Sequence, residues 1–157
     1  MIGRETAAFL ETGCTLIVGT VGPEGEPHAA RGWGLTVLDD ERALMRLLLD
    51  ADDPEHHAHL APGGAIAITG GDVRTLRSIQ IKGRSLGVEP PNDSDPARAA
   101  RFIDEMITAI HESDGTDPIV SRRMAPTQFV ACMVEIDEIY DQTPGPGAGA
   151  AISRGTP

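Results

Sequence analysis

Two β-rich apolar runs, CTLIVGTV at residues 14–21 and HAARGWGLTVL at 28–38, flank the hexapeptide GPEGEP. A connector that short, with four of its six residues glycine or proline, can only turn the chain back on itself, because a parallel crossover needs about a dozen residues or more. The chain is thereby committed to antiparallel sheet from the start. DDER (39–42) turns the second run into ALMRLLL (43–49), and GAIAITG (64–70) reads as a further buried strand. After the polar turn GDVR, the stretch TLRSIQIKGRSLGVE (75–89) alternates Ile79 and Ile81 with Gln80 and Lys82, which gives a strand with one wet face. After a loop rich in polar residues and Pro, APTQFVACMVEIDEIYDQ (125–142) repeats that period through Val130, Cys132, Val134 and Ile136.

Helical signals are fewer. RETAAFLETG closes on Gly13 as a short helix, and SDPARAARFIDEMITAIHES is a longer one with Ser94 as its cap. Its stripe of Ala99, Phe102, Ile103, Met106, Ile107 and Ile110 faces a core. Strands joined mostly by hairpins, with helices packed outside, make an α+β antiparallel barrel. Residues 1–141 form this domain. Residues 142–157, dominated by Gly, Pro and Ala without a period, are expected to be a tail or an arm lying on a dimer partner.

Composition removes several classes. No apolar run approaches the roughly 20 residues of a membrane span, and the acid-containing N-terminus lacks a signal-peptide pattern, so a cytoplasmic location is expected. A net charge of −11, with basic pairs such as Arg122 and Arg123 isolated, argues against nucleic acid. Cys14 and Cys132 lie in apolar runs without a CxxC and read as buried thiols. Walker and GxGxxG motifs are missing.

The order of these elements resembles the pyridoxamine 5'-phosphate oxidase-like, FMN-binding split barrels. The resemblance spans roughly residues 5 to 141 and is carried by the GEP hairpin, Arg31 on the next strand, the short helix after the third strand and the strand IQIKG. It implies a split antiparallel β-barrel with flanking helices, and a homodimer with two FMN sites at the subunit interface. It also implies flavin lying against the strands, with its phosphate held by basic side chains. The implied function is that of a flavin-binding oxidoreductase-like protein acting on a small-molecule substrate. Carried over residue by residue, the cofactor candidates are Arg31, Gly32 and Trp33, then Arg46, His56, Lys82 and Arg84. The short-helix positions where the family places an Arg-Lys phosphate grip are occupied here by Pro54, Glu55 and His56. That substitution motivates the alternative: a non-catalytic dimer that has lost FMN, or one that binds haem or another small ligand as carrier or sensor.

Residues 50–62, DADDPEHHAHLAP, gather four carboxylates and three histidines. Asp53 followed by Pro54 is a helix start, and Glu55 in the first turn suits the helix dipole. Two carboxylates there would repel a phosphate. His56 and His59 share a helix face and could ligate a metal. A third ligand would have to come from elsewhere, so no metal is assigned and the segment reads first as a solvated polar helix. His28, behind a turn proline, and His111, at a helix end, read as structural.

Overall fold

The computed structural model describes residues 2–39 and 43–154. Its elements are α1 (Arg4–Glu11), β1 (Thr15–Val21), β2 (Pro27–Asp39), β3 (Leu44–Asp50), α2 (Pro54–His59), β4 (Ala65–Gly71) and β5 (Ser78–Glu89). They continue with α3 (Asp95–Asp114), α4 (Pro118–Arg122), β6 (Phe129–Asp141) and β7 (Ala151–Arg154). The sheet runs β3-β2-β1-β4-β5-β6-β7, and a further pairing of β3 with β6 closes its first six strands into an antiparallel barrel. Of the expected DDER turn, residues 40–42 lie outside the described residues. No described helix is long and apolar enough to cross a membrane.

Period-two burial builds the barrel interior. Leu16 and Val18 of β1, Ile66 and Ile68 of β4, Ile79 and Ile81 of β5, and Val134 and Ile136 of β6 join one core cluster with Met45, Leu47 and Leu49 of β3. β3 is buried on both faces. Its outward Leu48 packs with Ala99 of α3 and Ala131 of β6, which is why ALMRLLL shows no alternation. α3 lays the expected stripe over β2, where Ile103, Met106 and Ile107 enclose Trp33. Ser94 does not cap α3 with its side chain. Asn92 takes that role, its Oδ1 accepting from the amides of Ser94 and Asp95.

Two segments differ from expectation. Pro118–Arg122, within a stretch expected to be loop, forms the one-turn α4, started by Asp117 accepting from the Ile119 amide. Ala151–Arg154, placed in the C-terminal tail, form β7 on the edge of β6, pairing Glu138, Ile139 and Tyr140. The edge of β6 is free there because β3 pairs only with its first half, Phe129–Glu135.

Candidate functional site

The outer faces of β1, β2, β4 and β5 carry small side chains in register. Gly19 lies opposite Ala29 on one side and Ala67 on the other, and Ala67 in turn faces Lys82. This row floors a groove of about 950 Å³, walled by Val21, Pro27 and His28 at one side and by Lys82, Arg84, Asp137 and Glu138 at the other. Its size falls within the range of ligand sites, roughly 300–1,000 Å³. Lys82 Nζ lies 5.1 Å from the centre of the Tyr140 ring, and Arg84 stands 3.7 Å from Asp137 in an exposed ion pair.

A second pocket of about 260 Å³ lies between β2 and the start of α2, lined by His28, Ala29, Arg31, Trp33, Asp53 and His56 among others. The two cavities share His28 and Ala29. Arg31 has no hydrogen bond or ion pair among the described residues, so its guanidinium is available to a ligand.

α2 packs against β1 and β2 and is not the solvated polar helix expected from its composition. His56 is 1% exposed and His59 7%, while Pro54, Glu55 and Ala58 face solvent. The reason is amphipathicity of an unusual kind, in which histidines form the inward face. His59 Nδ1 lies 3.2 Å from the Thr20 hydroxyl, and its Nε2 lies 3.6 Å from Glu26. Asp53 caps the helix as expected, with Oδ1 accepting from the His56 amide at 3.0 Å. Its Oδ2 meets His28 Nε2 at 2.9 Å. Burial pushes the pKa of His56 down to about 4, outweighing the attraction of Asp53. Burial also acts to raise Asp53, but the His56 amide and His28 overcome it and hold its carboxyl below its usual range.

The sequence-derived residues separate into two groups. Arg31, Lys82 and Arg84 line the paired cavities, and His56 and Trp33 line the smaller one. Arg46 is not with them. Its guanidinium lies under α3, where Nε and Nη2 bond the Asp95 carboxylate, Nη2 at 2.6 Å, and Nη1 meets Glu89. Gly32 also faces away, since a Cβ there would sit 2.9 Å from that of Leu16 inside the barrel. Its small size serves the core. His28 was missed because a histidine after a turn proline carries no mark of its partners 25 and 28 positions later. The small-residue floor was legible in principle, because pairing across GPEGEP brings Gly19 opposite Ala29.

The chain has a split-barrel α+β fold. Among solved structures it resembles HupZ of Group A Streptococcus, at 16% identity and a TM-score of 0.58 over 95% of this chain and 100% of that one. It also resembles a candidate pyridoxamine 5'-phosphate oxidase of Lactobacillus delbrueckii, at 14% identity and a TM-score of 0.54 over 88% and 92% of the two chains. An F420 reductase matches at 17% identity and a TM-score of 0.51, over 84% of this chain and 93% of that one. At these identities the likeness is one of fold. No protein-family profile and no curated protein matches the sequence.

Proposed function

We propose that this chain is an FMN-binding, oxidoreductase-like protein acting on a small molecule, with its cofactor seated in the groove on the barrel's outer face. The observation that carries this reading is the small-residue floor of Gly19, Ala29 and Ala67, which lets a flat ring system approach the strands, beside Lys82 and Arg84 and with Arg31 in the adjoining pocket. Two proteins that share the fold carry redox names, a reductase and an oxidase. Bound flavin would supply hydride or electron transfer, so the protein need only bind and orient it. Arg31 would meet the phosphate, and Lys82 and Arg84 would flank the ring. Wild-type protein titrated with FMN should bind it and quench its fluorescence. Arg31→Ala should weaken binding by about 1.5–3 kcal/mol, the range for a hydrogen bond to a charged group. A wild type that neither carries nor takes up FMN overturns the reading.

The reading includes a homodimer. Ile17 and Val21 are exposed on the outer face of β1 and Leu86 on β5, and together with the alanine floor they leave apolar surface that a second copy would cover.

One observation favours a second reading, a non-catalytic carrier or sensor for haem or another small ligand. Asp53 and Glu55 stand at the pocket where a phosphate would sit, Glu55 with Oε1 3.8 Å from His28. An absorption spectrum of the purified protein separates the two, because flavin and haem have different bands.

A further inference from the structure

Three side chains with metal-ligating atoms converge in the smaller pocket, at the edge where His28 also walls the groove. His28 of β2, Asp53 at the cap of α2 and His56 in its first turn each place one such atom within 4.8 Å of the other two. Asp53 divides its oxygens between two tasks. Oδ1 is held by the His56 amide, while Oδ2 is turned to both imidazoles, 2.9 Å from His28 Nε2 and 4.0 Å from His56 Nδ1. The rings of His28 and His56 lie 5.3 Å apart.

Independently of this convergence, Nε2 of His56 is buried and has no hydrogen-bond partner among the described residues. A buried polar nitrogen is unfavourable unless something pairs with it. Glu55, 3.8 Å from the other nitrogen of His28, stands where an outer carboxylate orients a ligating histidine.

We propose that His28, Asp53 and His56 bind a divalent transition-metal ion of the zinc type, with a fourth position left to water or a small anion. Two imidazoles and one carboxylate suit zinc and its neighbours, whereas calcium and magnesium take oxygen. Tetrahedral bonds of about 2.0–2.2 Å set donors about 3.4 Å apart, so His56 Nδ1 would close on Asp53 Oδ2 from 4.0 Å while His28 Nε2 opens from 2.9 Å, movements within reach of side-chain rotation. The 260 Å³ pocket that these residues line with Arg31 has room for the fourth ligand. The site departs from the His56 and His59 pairing suggested by the sequence. His59 is engaged instead with Thr20 and Glu26.

The full chain, stripped with a chelator and free of flavin, is titrated with Zn²⁺ by calorimetry and with Co²⁺ by visible absorption. One ion should bind per chain, and Co²⁺ should give the intense ligand-field bands of a four- or five-coordinate site. His28→Ala and Asp53→Asn, checked for folding by circular dichroism, should each weaken Zn²⁺ binding at least tenfold and abolish those bands. His28 is part-exposed and Asp53→Asn keeps a capping oxygen, so at least one variant is expected to fold. Failure of the wild type to take up one equivalent overturns the proposal, as does wild-type affinity in a folded variant. Because no flavin is present, the outcome is independent of the FMN reading.

Discussion

Glu55 illustrates how exposure sets the size of an electrostatic effect. Its side chain is 64% exposed, so reversing its charge acts through screened solvent. Glu55→Arg should therefore tighten FMN by only about 0.5–1 kcal/mol, measured by equilibrium titration beside the wild type. An unchanged dissociation constant would place the phosphate away from α2. Asp95 is the opposite case. It is 5% exposed and bonded to Arg46, itself 9% exposed. Removing one member of a buried pair leaves an uncompensated charge, and Asp95→Ala should cost about 3 kcal/mol in urea unfolding. Burial alone would raise the Asp95 pKa, but the Arg46 hydrogen bonds and the Asn92 amide hold it below the ordinary value. A carboxyl depressed on folding contributes fully above its unfolded pKa, about 4, and loses that contribution as pH falls through the folded value. The wild type should accordingly lose stability below about pH 4. Asp95→Asn, measured by urea midpoint against pH, should lose less over the same interval.

Among the elements, α3 is joined to the barrel by two different means. Its first turn is held by the Arg46 to Asp95 pair, and its middle by Met106 and Ile107 closing on Trp33. Met106→Ala opens a cavity there and should cost about 2–5 kcal/mol. Trp33, the only tryptophan, should report it by a red-shifted emission. This helix was legible from its stripe alone, as were the hairpins from their Gly and Pro turns and β5 from its alternation. What could not be read were contacts across the fold. Arg46 and Asp95 are 49 positions apart, and Arg46 looked like any other strand base. The histidines of α2 looked polar because their burial depends on Thr20 and His28, which β1 and β2 supply. β7 carried no signal, since four residues beside a Gly/Pro stretch show no period, and the free half of the β6 edge decides their pairing.

For the whole molecule, the outer sheet face makes association the decisive test. Ile17 and Val21 are each nearly half exposed on β1, beside the floor of the groove. Sedimentation at micromolar concentration should give twice the chain mass, and Ile17→Asp should shift the equilibrium to monomer while leaving circular dichroism unchanged. A wild-type monomer would remove both the dimer and any site that depends on its interface.

Barrel closure has a consequence for how the protein comes into being on the ribosome. All seven residues of β3, Leu44–Asp50, wait for partners in Phe129–Glu135, so the last seam of the ring cannot form until most of the chain has been synthesised. Until then β3 presents a leucine-rich open edge, the kind that recruits a neighbouring nascent chain as readily as its own missing strand. Contacts this distant in sequence also form slowly. Translation speed and chaperone supply, rather than the stability of the finished barrel, should therefore govern the yield of native protein in cells.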